Sequence, residues 1–456
     1  MFEIRGKYAR ADVFADQVEE TCLGQITKMV NHPAFDLGGS EEKHIAIMPD
    51  THAGKGSVIG FTMPLQRRVV ANVVGVDIGC GMSGSKFIPA GTLDLPEVDK
   101  RIREAVPLGH EVNEKSQHSL YEFHNGGPKS IFFSYLQTYA RVVWGFLVRG
   151  GHSKEAAKPP LFNIEWYEQL CDRVGMKFGR AQASVGSLGG GNHFIEVGIN
   201  DDGHYWVIVH SGSRQLGEKV CRYWQRLASQ RRAEKVGAEY EAAVRSIRDR
   251  TKDRSQIPKR IKELRQRMGV YGGPKELDFL EGDDFYGYIW DMYFAQQYAS
   301  ANRGTIMAEC MNVLCPTFPT GPQVLEMGTT YAETVHNYID YDDLVIRKGA
   351  VRAHKDETFI LPFNMRDGTL ICKGLGNKDW NQSAPHGAGR LLPRGVAKRT
   401  LDATEAEKQM EGIYTSMIPL DEAPGAYKPA QAIEEAIAPT AKIVERIKPV
   451  LNIKAG

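Results

Sequence analysis

Two side chains with metal-binding chemistry sit together in "GVDIGCG", residues 75–81, where Asp77 and Cys80 are crowded among three glycines. Carboxylate, thiolate and imidazole form the donor set that divalent transition metals use. Three other stretches offer the imidazoles. "SLGGGNHFIEV" puts Asn192 and His193 after three glycines, and "YWVIVHSGSR" ends an apolar run on His210, ahead of Arg214. "AETVHNYI" places His336 beside Asn337, on what reads as a helix. Taken singly, each histidine reads as a hydrogen-bonded structural residue. Taken with Asp77 and Cys80, they make a ligand inventory. No short fixed spacing ties the five together, so their convergence is an inference. Were they to converge, the Cys80 thiolate has lone pairs enough to bridge two ions, and glycines would admit those ions close to backbone.

A second stretch, "NQSAPHGAGR", follows His386 with no bulky side chain. Gly387, Ala388 and Gly389 leave backbone N–H groups free to face phosphate oxygens, and Arg390 offers a planar fork that pairs with them. The plain structural reading is a glycine turn capping a helix. The chemical reading is that neutral imidazole attacks phosphorus once the phosphate charge is neutralised, giving a nucleotidyl-histidine.

Apolar runs would position these groups. "RRVVANVVGV" reads as a buried β-branched strand ending at Asp77 and Cys80, and "HIAIMP", "FIEVGI", "YWVIVH" and "LVIRKGAVRA" read as further strands. "PAQAIEEAIAPTAKIVERIKPV" reads as a final helix. Between Arg231 and Arg267, 13 Lys and Arg face 6 Asp and Glu in two helical halves broken near "SQIPKR". That pattern predicts a helical hairpin, either a solvated surface insertion or a phosphate-contacting face.

Composition sets the class. With 42% hydrophobic and 25% charged residues and no long apolar run, the chain reads as a soluble globular protein with no membrane partner. The N-terminus does not resemble a secretory signal, and seven scattered cysteines suit a reducing compartment, so a cytoplasmic location is expected. A net charge of +1 gives no general attraction to nucleic acid.

The segments "MPDTHAGKG", "GVDIGCGM", "GGGNHFIEV", "HSGSR", "RKGAVRA", "GLGN" and "HGAGR", in this order, resemble those of the RtcB RNA ligases over almost the whole chain. The resemblance implies an α+β fold: a single large RtcB-type catalytic domain, residues 1–456, of mixed sheets and surrounding helices. It would include the basic helical insertion at about 225–300. By resemblance, Asp77, Cys80, His193, His210 and His336 bind two Mn2+ with Cys80 shared. GTP would guanylylate His386, giving a covalent GMP. Asn192, Phe194, Glu196, Tyr427 and Lys454 match positions that hold the nucleotide. Arg180, Arg214 and Arg390 match positions near RNA phosphates, with Asp50 and Lys55 in another recurrent active-site motif. Where such sequences carry "PGSMG", this chain reads "LPFNMRDGT", so Asn364 stands for a serine, Phe363 for a glycine, and Thr369 keeps a hydroxyl.

The implied reaction joins RNA 3′-phosphate or 2′,3′-cyclic phosphate ends to 5′-hydroxyl ends, as in repair of broken tRNA or rRNA or in tRNA splicing. The altered loop keeps two other readings open: a nucleotidyltransferase that only caps 3′-phosphate ends, and a non-catalytic metal- and RNA-binding accessory protein.

Overall fold

The computed structural model describes residues 1–89, 91–114, 131–267, 275–315 and 331–455, together with Leu120 and two short strands at 123–124 and 127–128. It is an α+β molecule built on two large sheets. The first has six strands in the order Phe2–Arg5, Arg10–Val13, Ile45–His52, Ile59–Pro64, Val345–Lys348 and Asn337–Asp340. The one parallel pairing in it joins Arg10–Val13 to Ile45–His52. The second has seven antiparallel strands, in the order Tyr331–Val335, Gly81–Phe87, Tyr205–Ser211, Phe194–Asn200, Ala441–Ile453, Thr369–Gly374 and Thr358–Pro362.

The helix Gly282–Leu314 ties the molecule together. It is apolar on several faces, as a helix enclosed by core must be. Its first half, from Phe285 to Tyr298, packs into the main core with the helix Ile131–Arg149, while Ile306, Met307 and Cys310 pack on the second sheet. Each such buried side chain contributes roughly 1.5–3 kcal/mol. Among the described residues, no helix is long and apolar enough to cross a membrane.

Three local expectations are corrected. "RRVVANVVGV" forms only a two-residue strand, Arg68–Val69, before turning into the short helix Ala71–Val74. Tertiary hydrogen bonds override the β-branched preference there, because the Asn72 N–H donates to Gln225 Oε1 and its carbonyl accepts from Lys348 Nζ at 3.0 Å. Asp77 and Cys80 therefore precede a strand rather than end one. The final helix stops at Ile437, and beyond Pro439 the chain becomes the strand Ala441–Ile453, whose residues alternate between buried and exposed over much of its length. His336 is not helical. It is the single residue between Tyr331–Val335 of the second sheet and Asn337–Asp340 of the first.

The basic segment does form two helices, Arg214–Arg250 and Ile257–Arg267. Residues 268–274 of the expected insertion lie outside the described residues.

Candidate active site

The seam between the sheets brings the five proposed ligands together. Asp77 and Cys80 occupy the turn after the helix Ala71–Val74, and the Cys80 N–H donates to the Asp77 carbonyl at 3.2 Å. Gly79 between them has φ +72, and a Cβ there would lie 2.9 Å from Ala299 and Gln296 of the central helix. Only glycine lets the turn seat this closely. Gly212 plays a similar part, since its Cβ would lie 2.3 Å from Asp77 Oδ1. His193 immediately precedes the strand Phe194–Asn200, and His210 lies within Tyr205–Ser211. The His336 N–H donates to the Cys80 carbonyl at 2.9 Å, and its own carbonyl accepts from Gly349. The turn is held from behind by Arg303, fully buried, which donates to the carbonyls of Gly79 and Ser211.

The donor atoms form two overlapping groups, Asp77–Cys80–His193 and Cys80–His210–His336, each with its atoms within 4.8 Å of one another. Cys80 Sγ belongs to both, at 3.5 Å from His193 Nε2 and 3.3 Å from His210 Nε2. The Nδ1 atoms of His193 and His210 lie 2.9 and 3.1 Å from the carbonyls of Leu188 and Asn192. Those bonds put a proton on each Nδ1. His210 Nε2 then turns its lone pair into the cluster, while His193 Nε2 faces Asp77 Oδ2 at 2.9 Å and shares with it a hydrogen that a bound cation would displace. His210 Nε2 and His336 Nε2 are 3.3 Å apart, and His336 Nδ1 is buried with no hydrogen-bond partner among the described residues.

Burial and neighbouring positive groups push His210 and His336 well below the ordinary imidazole range, so both rings are neutral. Burial and the adjacent Asp77 carboxylate push the Cys80 thiol well up. Burial is the largest single influence on Asp77 and opposes its ionisation, but His193, Cys80 and Arg214 together outweigh it and hold that carboxyl low. Neutral imidazoles, an ionised carboxylate and a thiol that a cation would deprotonate fit divalent metal binding, and the soft sulfur shared by both groups fits two ions.

His386 follows the strand Ser383–Pro385, with its ring centroid 4.9 Å from that of His336. Its Nδ1 lies 2.7 Å from Oδ2 of Asp50, a fully buried carboxylate. Asp50 thus fixes the ring with its proton on Nδ1 and the Nε2 lone pair free. Close seating requires Gly389, whose φ is +72 and whose Cβ would lie 2.4 Å from the Asp50 carbonyl.

From His386 a cleft of about 1000 Å³, including its open mouth, runs past His210 and His336. Asn192, Phe194, Glu196, Asn364, Gly387, Ala388, Gly389, Arg390, Tyr427 and Lys454 line it, as do His210 and His336. Lys454 Nζ sits 5.2 Å over the Phe194 ring. Glu196 is buried, which pushes its carboxyl up to about 7 against the opposing effects of Thr369 and Lys454. Asn452 Nδ2 donates to Glu196 Oε2 at 3.3 Å, while Asn452 Oδ1 has no partner among the described residues.

Other expected residues lie elsewhere. Thr369 does not line the cleft; it is buried behind Glu196 and donates to Oε1 at 2.8 Å. Asn364 faces the cleft, but its Oδ1 accepts the N–H groups of Arg366 and Asp367, closing the hairpin turn of the altered loop. Asp50, grouped with the phosphate-facing residues, instead backs His386. Lys55 is exposed outside the cleft. Arg180 is exposed and donates to the His110 carbonyl, and Arg214 is tied to Ser187 Oγ and the Gly109 carbonyl.

Sequence reasoning missed four polar cleft residues, His52, Arg394, Glu422 and Asn452. Glu422 accepts from Lys454, Arg390 and Tyr427 at 3.1, 3.1 and 2.5 Å, with Arg394 at 3.2 Å. Burial alone would raise its carboxyl, but Lys454 and Arg394 hold it below the usual range. Burial pushes His52 down to about 4, so that ring is neutral too. Arg394, four positions after Arg390, had a spacing signal; the others had none.

Comparison with known proteins accords with this geometry. The family model described as "tRNA-splicing ligase RtcB" matches residues 36–455. The chain is 28% identical to the RNA-splicing ligase RtcB of Escherichia coli strain K12 over 428 residues, covering 90% of each. It is 26% identical to the tRNA-splicing ligase RtcB of Thermococcus kodakarensis over 462 residues, covering 90% of this chain and 87% of that one. The Aeropyrum pernix protein of the same name is 24% identical over 470 residues, with 90% and 87% coverage.

Proposed function

The chain belongs to the RtcB family, and from that premise we propose that it is an RNA ligase that joins 3′-phosphate or 2′,3′-cyclic phosphate ends to 5′-hydroxyl ends, using GTP and a guanylyl-histidine at His386. The observation that carries this reading is the contact between His386 Nδ1 and Asp50 at 2.7 Å, beside two overlapping sets of metal donors.

With the proton held on Nδ1, His386 Nε2 attacks the α-phosphorus of GTP, a P–N bond forms, and the bond to pyrophosphate breaks. The Asp50 carboxylate offsets the positive charge that the ring acquires as this bond forms. A 2′,3′-cyclic end is first opened by water, whose oxygen joins the phosphorus as the bond to the 2′-oxygen breaks and that oxygen takes up a proton. An oxygen of the resulting, or original, 3′-phosphate then attacks the same α-phosphorus and releases His386. Finally the 5′-hydroxyl attacks the activated 3′-phosphorus, loses its proton to solvent and expels GMP. Asp77, Cys80, His193, His210 and His336 would hold two divalent cations, Mn2+ by family resemblance, which when bound neutralise phosphate charge and acidify a hydroxyl.

Arg390, Arg394 and Lys454 surround Glu422, with Asp421 also 3.6 Å from Arg394, so three cations meet two carboxylates and leave one net positive charge toward the cleft for the phosphates. Guanine carries two adjacent donors, N1–H and the exocyclic N2–H, and Glu196 with the unpartnered Asn452 Oδ1 offers acceptors for them. Adenine would set its N1 lone pair against an acceptor there.

Intact mass spectrometry after incubation with Mn2+ and each nucleoside triphosphate tests the first step. The expected result is a gain of one GMP by the wild type and none by His386→Ala. No covalent nucleotide under any of these conditions would overturn the reading.

A further inference from the structure

The helix Arg214–Arg250 starts at the metal-donor cluster, where the N–H of Ser213 donates to Asp77 Oδ1 at 3.2 Å. Its first four turns are anchored by Leu216, Val220, Cys221, Trp224 and Ala228. Beyond Ala228 no residue of this helix is buried. The rest projects as a rod, supported along one side by the helix Ile257–Arg267 through half-buried apolar residues such as Val244, Ile247 and Ile261. At 1.5 Å per residue, the far end lies about 50 Å from the cluster along the helix axis.

Charge is distributed unevenly along that rod. At its base, Arg231, Arg232 and Lys235 pair with Asp284, Asp278 and Glu281 at 2.7, 2.6 and 3.4 Å. At its tip, from Arg248 to Lys262, seven Arg and Lys meet two Asp, and all nine are exposed. Among the described residues, none of the seven makes an ion pair, and the Asp253 carboxylate is occupied by the N–H and hydroxyl of Ser255. In a chain of net charge +1, this is a local concentration of charge that buries nothing. Like charges within one Debye length, about 8 Å in physiological salt, repel, and among the described residues only Arg260 of the seven makes a side-chain hydrogen bond, to Thr251 Oγ1 at 3.2 Å. A phosphate backbone reverses that balance by releasing its counterions.

We propose that the tip Arg248–Lys262 is a second RNA-contacting surface, gripping the phosphates of a folded stem about 50 Å from the reacting ends. This rests on the cleft being a site where RNA ends are joined. Since the tip carries no aromatic side chain, it reads backbone charge and shape rather than sequence. An RNA that reaches both the cleft and the tip is favoured over a short oligonucleotide with identical ends.

The test compares the full chain with a variant carrying Arg250→Gln, Lys252→Gln, Arg254→Gln and Lys259→Gln. Fluorescence anisotropy measures affinity for two RNAs over a salt series: a stem-loop long enough to span 50 Å, and a short single strand with the same ends. The variant is expected to bind the stem-loop at least tenfold more weakly, with the salt slope reduced by up to about 3.6, since each of the four lost phosphate contacts removes roughly 0.9. Its affinity for the short strand and its capture of nucleotide on His386 should be unchanged. A companion variant with Arg250→Lys and Arg254→Lys should bind the stem-loop as the wild type does, because charge and not the guanidinium fork is required. Equal stem-loop affinity in wild type and Gln variant would overturn the proposal, as would an equal loss for both RNAs. Failure of the cleft reading would show separately, as a wild type that gains no nucleotide while these binding measurements still report on the tip.

Discussion

The floor of the cleft and the tip of the helical rod use charge in opposite ways. In the cleft, Asp50, Glu196 and Glu422 are almost fully buried, and each is hydrogen-bonded to named partners. At the tip, seven cations are exposed with no ion pair among the described residues. A buried charge must be paired or neutralised, so it acquires one fixed position; an exposed charge is solvated and contributes a field rather than a geometry. Catalytic alignment is therefore expected from the first region, and capture of a large anion from the second.

The contrast can be broken at its strongest point by Glu422→Gln. That change leaves Lys454, Arg390 and Arg394 around a neutral amide, and a cost of about 3–5 kcal/mol in unfolding free energy is expected from denaturant titration. The tip variant described above, by comparison, should shift stability by no more than about 0.5 kcal/mol. Similar losses from the two would erase the distinction.

Asp50→Asn sharpens it next. An amide nitrogen facing His386 Nδ1 would move the ring proton to Nε2 and mask the nucleophile, so nucleotide capture should slow by about 100-fold or more with the fold intact. Quenched-time mass spectrometry of the His386 adduct reads this directly.

The smallest effect concerns pH. Burial raises the Glu196 pKa to about 7 from an ordinary value of 4.5, so between those values the folded chain holds a proton that the unfolded chain has lost. Stability from this group is full below the unfolded value and falls as pH rises through the folded one. Relative to Glu196→Gln, the wild type should lose on the order of 2 kcal/mol between pH 5 and 8, read from denaturant midpoints. A difference that does not change with pH would place Glu196 in the same class as the surface acids.

Much of the site was legible because its groups sit at strand ends flanked by glycines, where Gly79 and Gly212 advertise close packing in the sequence itself. His386 stood out for the same reason. Asp50 was singled out only by resemblance and grouped with the phosphate-facing residues; its place behind His386 was not legible, because that partner lies 336 residues away. Glu422 sits in "LDEAP" with nothing local to distinguish it from a surface acid. Thr369 kept the expected hydroxyl, yet the strand places it behind Glu196 rather than in the cleft. For the fold, strands with alternating or continuous apolar patterns were readable, whereas Ala71–Val74 and His336 were set by contacts with distant segments. The terminal strand carried a period of two that its helix-forming neighbours obscured.

The strand order of the first sheet bears on how the chain is made. Ile59–Pro64 takes its outer neighbour from Val345–Lys348, and Lys348 also fastens the carbonyls of Lys55, Ser57 and Asn72. At 5–20 residues per second, a ribosome that has just released Asn72 needs roughly 14 to 55 s to deliver Lys348. For that interval the nascent chain presents an apolar, unpaired sheet margin, which makes its early residues a natural client for chaperones.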